Sequence, residues 1–136
     1  MDRNKAILLV EDDRVDAMTV KRALKEIHVT NPLDIVKNGE EALDYLKNGG
    51  EKPCIVLLDI NMPRMNGIEF LKTARAESLL NKIPVVVLTT SKDEEDVVES
   101  FKLCVAGYML KPVTYTEFIE TVKTINLYWT LSALPY

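Results

Sequence analysis

Three carboxylates, one hydroxyl and one ammonium each follow the end of a short apolar run. Glu11 and Asp12 come after the first run, Asp59 after the third, Thr89 after the fourth and Lys111 after the fifth. Two carboxylates 4 Å apart repel by about 1 kcal/mol in water and about 4 kcal/mol at an effective dielectric constant of 20. A hard divalent cation relieves that repulsion, and oxygen ligands with retained waters suit Mg²⁺, for which Mn²⁺ could substitute.

The same set of groups predicts phosphoryl chemistry. A carboxylate is a poor nucleophile towards an anionic phosphoryl donor unless the developing charge is neutralised. Bound Mg²⁺ and Lys111 would supply positive charge, Thr89 would contact a phosphoryl oxygen, and an aspartyl phosphate is an established type of covalent intermediate. Asp59 is the strongest candidate for the acceptor, because an acid directly after a buried strand is costly to place there.

Five apolar runs are expected to carry these groups as β-strands. Most of them are rich in Val, Ile and Leu without alternation, which is typical of strands buried on both faces of a parallel sheet. Their ends lie 22 to 30 residues apart, so each interval has room for one crossover helix. The predicted strands cover residues 6–10, 33–36, 55–58, 85–88 and 108–110.

Amphipathic stretches between the runs predict the helices. Start signals with an acid three residues on occur at Asn38, Ser91 and Thr114. The predicted helices cover residues 16–27, 38–48, 67–76, 91–103 and 114–125. Five βα units predict an α/β fold, a doubly wound five-stranded parallel sheet of flavodoxin-like order 2-1-3-4-5 with helices on both faces. In that order strands 1, 3, 4 and 5, which carry the polar groups at their carboxyl ends, are neighbours. Those groups are therefore expected to meet in one pocket.

Composition limits the class of protein. The chain has 136 residues, 47% of them hydrophobic and 28% charged, and a net charge of −4. This predicts one domain with its own core, no nucleic-acid footprint and no DNA-binding domain. Two cysteines make neither a disulfide framework nor a zinc site. The apolar runs are shorter than a membrane span and the N-terminus is too polar for a signal peptide, so a cytoplasmic protein is expected.

Four motifs occur in order and resemble one family. They are ILLVEDD at residues 7–13, LDINMPRMNG at 58–67, IPVVVLT at 83–89 and AGYMLKP at 106–112. Over residues 5 to about 126 the chain resembles the receiver domain of two-component response regulators. The resemblance implies that Asp59 accepts a phosphoryl group from a sensor histidine kinase. It also implies that Asp12 binds Mg²⁺ directly, that Glu11 helps through water and that Asn61 contributes its backbone carbonyl.

The resemblance also implies a switch. Thr89 would contact the phosphoryl group and shift on activation, and Lys111 would pair with that group. Tyr108 occupies the family's switch-aromatic position, whose ring moves inward as the threonine moves. The bond between Lys111 and Pro112 would be cis. Asp13 has no implied role, and capping of the first helix is its plainer interpretation.

The C-terminal residues predict a surface for signal output. A receiver with no effector domain would have to act by binding a partner or by assembling. Residues 1–126 would form the receiver and 127–136 an apolar extension, and surfaces rich in Trp and Tyr are typical of interfaces. We expect a homodimer through helix 4, strand 5, helix 5 and the extension. The extension and the longer loop at 48–53 resemble regulators paired with cyanobacterial and bacterial phytochromes. The predicted dimer residues are Phe101, Tyr128, Trp129, Leu131, Leu134 and Tyr136.

Two other classes stay open on the residues alone. A Mg²⁺-dependent phosphatase with an aspartyl nucleophile also places an Asp at a strand end, but it needs a second acid where Asn61 stands. A flavodoxin-like electron carrier would need a hydroxyl- and glycine-rich phosphate loop after the first strand, where Glu11 and Asp12 would instead repel phosphate. The favoured interpretation is a phosphoacceptor signalling protein and not an enzyme, with at most self-phosphorylation from small donors and autodephosphorylation.

Overall fold

A computed structural model describes residues 4–48 and 50–131, with side chains through residue 127. Its sheet has five parallel strands in the order β2-β1-β3-β4-β5, which confirms the predicted fold class and strand order. The central strands β1 and β3 are buried along their whole length, so both of their faces require apolar side chains. The strands are β1 Ile7–Val10, β2 Leu33–Val36, β3 Ile55–Leu58, β4 Val85–Thr89 and β5 Gly107–Leu110.

Helices cover both faces of the sheet. Alternate strand residues such as Leu8 and Val56 form one apolar cluster with α2 and α3, whereas Ile7 and Ile55 form another with α1 and α5. The helices are α1 Arg14–Glu26, α2 Gly39–Lys47, α3 Gly67–Ala76, α4 Glu94–Lys102 and α5 Tyr115–Leu131. None of them, in the part of the chain that the structure describes, is long and apolar enough to cross a bilayer.

Side-chain caps fix where several helices begin. Asp13 caps α1 by accepting from the backbone N–H groups of Val15 and Asp16, as expected, and Asn38 caps α2. The prediction that Ser91 starts the fourth helix is wrong. Asp93 caps α4 instead, because its carboxylate accepts from the N–H of Glu95 and its backbone is extended, as an N-cap requires.

Gly67 brings α3 against the strand end that carries Asp59. Its N–H donates to the carbonyl of Ile60 at 3.0 Å. A Cβ at this position would lie 2.4 Å from the carbonyl oxygen of Asp59 and 2.9 Å from the Cα of Ile60. Only a glycine permits this approach, and the helix therefore braces the loop that follows β3.

Polar contacts attach the end of α4 to its neighbours. The guanidinium of Arg75, on α3, donates to the carbonyls of Leu103 at 2.9 Å, Cys104 at 3.0 Å and Leu80 at 3.3 Å. Ser100 is the fully buried residue of α4, and its hydroxyl has no hydrogen-bond partner among the described residues. One arginine of α3 thus holds the two carbonyls at the C-terminal end of α4.

The C-terminal prediction meets the structure only in part. Backbone helix α5 continues past residue 126 to Leu131, so Tyr128, Trp129 and Leu131 belong to that helix. Leu134 and Tyr136 lie outside the described residues. The proposed role of all five in a dimer stays a prediction.

The peptide bond between Lys111 and Pro112 is trans, so the cis bond that the resemblance implied is wrong for this structure. Even before proline, the trans form is favoured by about 0.5–1 kcal/mol. The N–H of Lys111 donates to the carbonyl of Thr89 at 2.8 Å, which extends the pairing of β5 with β4 by one residue.

Candidate metal and phosphoryl site

The register of the sheet brings three carboxylates to one place. Val10 of β1 pairs with Leu58 of β3, so the residues that follow them leave the sheet side by side. Glu11, Asp12 and Asp59 each offer a carboxylate oxygen, and these oxygens lie within 4.8 Å of one another. Glu11 and Asp59 are only 3% and 5% exposed, whereas Asp12 faces solvent. The predicted acidic cluster is therefore present, with one side open.

Lys111 reaches this cluster from the end of β5. Its Nζ lies 2.5 Å from Oε1 of Glu11, 2.8 Å from Oδ2 of Asp16 and 3.4 Å from Oδ2 of Asp59. The lysine side chain is 5% exposed, so the ammonium lies in a region of reduced dielectric where each contact is stronger than in water. One positive charge thus faces three carboxylates.

Thr89 and Tyr108 are connected through the loop that follows β4. Thr89 is fully buried, and its Oγ accepts from the N–H of Ser91 at 3.3 Å. The hydroxyl of Tyr108 donates to the carbonyl of Ser91 at 3.0 Å. The Ser91 hydroxyl donates in turn to Oδ2 of Asp96, on α4, at 2.7 Å. A displacement of Thr89 would therefore act on Ser91, and through it on both Tyr108 and α4.

Comparison with known proteins decides the family. The model of the response regulator receiver domain matches residues 7–123. The chain belongs to this family. It is a response regulator of phosphorelay signalling, a signalling class of protein, as the four motifs indicated.

Two relatives are each 37% identical to this response regulator. One is the probable methanogenesis regulatory protein FilR2 of Methanothrix harundinacea, matched over 90% of this chain and 82% of the relative. The other is the response regulator Rcp1 of Synechocystis, matched over 92% and 88%. Among solved structures, the phosphorylated cyanobacterial phytochrome response regulator RcpA aligns with a TM-score of 0.89 at 34% identity, covering 98% of this chain and 99% of its own. The Mn²⁺-bound form of Rcp1 aligns with a TM-score of 0.87 at 36% identity, covering 97% and 99%.

The residues of this receiver fit the divalent metal that receiver domains bind. All three groups in the cluster are carboxylates, the hard oxygen ligands that Mg²⁺ and Mn²⁺ prefer, and the described residues place no sulfur or imidazole ligand among them. Asn61 lies directly beside the cluster, where its N–H donates to Oδ1 of Asp59 at 3.4 Å. The donor set thus favours an oxygen-coordinated cation over a transition-metal site built on nitrogen or sulfur.

Burial and neighbouring charges act differently on Glu11 and Lys111 of this receiver. Burial raises the pKa of Glu11 to about 8, and the charge of Asp59 acts in the same direction, although the hydrogen bond from Lys111 opposes them. Burial alone would lower the pKa of Lys111, but hydrogen bonds to Asp16 and Glu11 outweigh it and raise the pKa above its ordinary value. The lysine therefore stays positively charged, whereas burial, with a smaller contribution from Asp59, disfavours the charged form of Glu11.

Most of the predicted site residues meet at this end of the sheet. Glu11, Asp12, Asp59 and Lys111 form one cluster, and Thr89 and Tyr108 lie on the two strands beyond it. Phe101 lies instead on α4, with 51% of its surface exposed, among the groups predicted for the dimer.

Sequence reasoning missed Asp16 as a site residue. Its place in the first turn of α1 has the ordinary meaning of an acid near a helix N-terminus, where it interacts favourably with the helix dipole. The available signal was its distance of four residues from Asp12, about one helical turn beyond the acidic loop.

Proposed function

We propose that Asp59 accepts a phosphoryl group from a sensor histidine kinase. The observation that carries this proposal is a buried carboxylate at the end of β3 with an ammonium 3.4 Å away and two further carboxylates beside it. In the transfer, a carboxylate oxygen of Asp59 forms a bond to phosphorus while the phosphorus–nitrogen bond of the kinase phosphohistidine breaks. The histidine nitrogen keeps the electron pair of that bond and takes up a proton from water, so the ring leaves as neutral imidazole.

Glu11, Asp12 and Asp59 would hold Mg²⁺, together with the backbone carbonyl of Asn61. Asp12 is the exposed member of the cluster, so it is the group best placed to meet an ion arriving from solvent. The Mn²⁺-bound form of Rcp1 supports a divalent ion, and Mn²⁺ could substitute for Mg²⁺ here. When bound, such an ion neutralises negative charge on the phosphoryl oxygens.

Lys111 and Thr89 would stabilise the product. Lys111 already directs its ammonium to Asp59, and a phosphoryl oxygen attached there would accept a charge-assisted hydrogen bond from it. Thr89 would donate its hydroxyl to another phosphoryl oxygen. The Thr89 Oγ would then lose its contact with the N–H of Ser91, and Ser91 accepts the hydrogen bond of the Tyr108 hydroxyl. This sequence of contacts would be the switch.

The kinase in this proposal is a phytochrome, and the response regulator acts in the cytoplasm. The similarity to RcpA, a phytochrome response regulator, supports this pairing. Output would come from a homodimer through α4, β5, α5 and residues 127–136, which extend a receiver formed by residues 1–126. Apolar side chains exposed on these elements support such an interface, namely Val98, Phe101, Leu110 and Leu127.

The test is Mg²⁺-dependent labelling by acetyl phosphate, followed by mass spectrometry. Wild-type protein should gain one phosphoryl group per chain, and Asp59→Asn should gain none, because an amide is not a nucleophile towards phosphorus. Asp44→Asn, which removes a carboxylate from the exposed face of α2, should be labelled as wild type is. Labelling that persists in Asp59→Asn would overturn the assignment of the acceptor.

Light scattering on the same samples reads the oligomeric state. A dimer at tens of micromolar supports the interface, and a monomer both before and after labelling contradicts it. Replacing acetyl phosphate by the autophosphorylated kinase domain of a candidate phytochrome then tests the partner. Transfer within minutes would support the light-signalling role, and transfer from an unrelated kinase alone would contradict it.

A further inference from the structure

Among the described residues, Asp16 is the one carboxylate in contact with Lys111 that does not belong to the acidic cluster. Its Oδ2 lies 2.8 Å from the lysine Nζ, across 95 residues of sequence. The backbone of Asp16 is itself fixed, because its N–H donates to the capping carboxylate of Asp13 at 3.1 Å. A rigid first turn of α1 therefore presents this carboxylate to the end of β5.

The three contacts between the Lys111 Nζ and the carboxylate oxygens differ in length. An ammonium has three hydrogens, and the structure gives it three carboxylate neighbours. The contact with Glu11 is the shortest at 2.5 Å, the contact with Asp16 is 2.8 Å, and the contact with Asp59 is the longest at 3.4 Å. Glu11 and Asp16 together hold the ammonium near Asp59 without letting it close upon that carboxylate, and the Asp16 contact lies in the usual 2.7–2.9 Å range of charge-assisted hydrogen bonds.

Although Glu11 also contacts the Lys111 ammonium, it is less suited than Asp16 to fix the position of that ammonium. Its Oε1 contacts Lys111, and its Oε2 accepts from the N–H of Asp13 at 3.1 Å. Glu11 also belongs to the carboxylate cluster that fits a divalent ion, so its charge is shared. Asp16 lies outside that cluster and can keep its contact with Lys111 whichever groups the cluster holds.

We propose that Asp16 is a positioning residue for phosphoryl transfer, one that holds the Lys111 ammonium away from the attacking oxygen of Asp59 and directs it to the incoming phosphoryl group. This proposal rests on the proposed acceptor role of Asp59. Without Asp16, Glu11 alone would oppose the attraction of Asp59, so the ammonium would move towards the nucleophile and away from the place that a phosphoryl oxygen needs.

The experiment compares Asp16→Asn, Asp16→Glu and the control Asp44→Asn with the wild type. The first measurement is the ¹⁵N NMR signal of the Lys111 ammonium, assigned by its loss in Lys111→Arg. A buried ammonium held by three carboxylates should exchange its protons slowly enough to be seen. The second measurement is the rate of labelling by acetyl phosphate, with thermal unfolding recorded on every variant.

Asp16→Asn should shift or broaden the Lys111 signal and slow labelling on the order of ten-fold, as expected when a reacting group is displaced by a fraction of an ångström. Asp16→Glu, which restores the charge, should recover most of both, and Asp44→Asn should change neither. An unchanged Lys111 signal in Asp16→Asn overturns the proposal, even if the variant is less stable, because a helix-dipole role alone would lower stability without moving the ammonium.

The two proposals fail in different ways. If wild-type protein is not labelled, the acceptor role of Asp59 fails. The Lys111 signal is measured on unlabelled protein, so it still decides whether Asp16 holds the ammonium. If labelling occurs and Asp16→Asn is labelled at the wild-type rate, the acceptor role stands and the positioning role is overturned.

Discussion

Helices α3 and α4 follow neighbouring strands of the sheet, yet they are attached in opposite ways. In α3 the buried residues are Gly67, Phe70, Leu71 and Ala74. In α4 only Ser100 is buried among nine described residues, and two large apolar side chains, Val98 and Phe101, are about half exposed. The first helix is part of the core, and the second lies on its surface.

The difference separates a tightly packed helix beside the acidic cluster from a weakly packed one. Full burial of a Phe or Leu side chain contributes about 1.5–3 kcal/mol, so α3 is firmly fixed and braces the loop after Asp59 through Gly67. The polar contacts of Arg75 and Asp96 with loop groups attach α4, and such contacts rearrange at lower cost than a packed core does. A rigid site next to a weakly packed helix suits a switch.

Replacing the phenylalanine of each helix tests the contrast most strongly. Phe70→Ala should lower the free energy of unfolding by about 3–5 kcal/mol, because it leaves a cavity in the core. Phe101→Ala should change it by less than about 1 kcal/mol, since half of that side chain already contacts solvent. Urea unfolding at a concentration that keeps the chain monomeric measures both. Equal losses would show that α4 is as much a part of the core as α3.

Adding one methyl group to Gly67 tests the brace. Gly67→Ala should lower the free energy of unfolding by about 1–3 kcal/mol, because the new Cβ meets backbone atoms of Asp59 and Ile60 that cannot turn aside. The displaced loop should also weaken Mg²⁺ binding, measured by fluorescence or calorimetry. Gly50→Ala is the matched control, since a Cβ there meets no atom within 4 Å and should be neutral or stabilise by about 0.4–1 kcal/mol. Similar losses in both variants would contradict the close approach.

Removing the guanidinium of Arg75 tests the attachment of α4. Arg75→Met keeps most of the stem but leaves the carbonyls of Leu103 and Cys104 without this donor, which should cost about 1–2 kcal/mol. Hydrogen exchange should become faster in the amides of α4 and not in those of α3. Arg64→Met serves as the control, because its ion pair with Glu40 at 3.5 Å is exposed and is worth at most about 1 kcal/mol. Equally faster hydrogen exchange in the amides of both helices would show that Arg75 does not stabilise α4 specifically.

The sequence was informative wherever one local rule decided the structure. Strands such as β1 and β3 are buried on both faces, so their apolar runs stand out, and the parallel register then brings Glu11 and Asp59 together without further information. Asp13 and Asn38 cap their helices because an extended backbone and a short polar side chain suffice.

Sequence reasoning failed where two local signals competed or where a contact joined distant segments. Ser91 and Asp93 both offer an N-cap; the Ser91 hydroxyl donates to Asp96, and it is the Asp93 carboxylate that accepts from the N–H of Glu95. The contact of Asp16 with Lys111 and the three carbonyls held by Arg75 depend on how helices pack against the sheet. Apart from the four-residue spacing of Asp12 and Asp16, no periodicity or spacing indicates such contacts.

The separation of 95 residues between Asp16 and Lys111 also bears on how the protein is made. A second contact over 89 residues joins the hydroxyl of Tyr115 to Oε2 of Glu26, so the last βα unit closes upon the first. A ribosome builds the acidic end of β1 long before it adds the lysine, and such distant contacts form late in folding. The nascent chain therefore carries the carboxylates of the cluster before the ammonium that faces them, and the complete set of charges is assembled only when synthesis has passed β5.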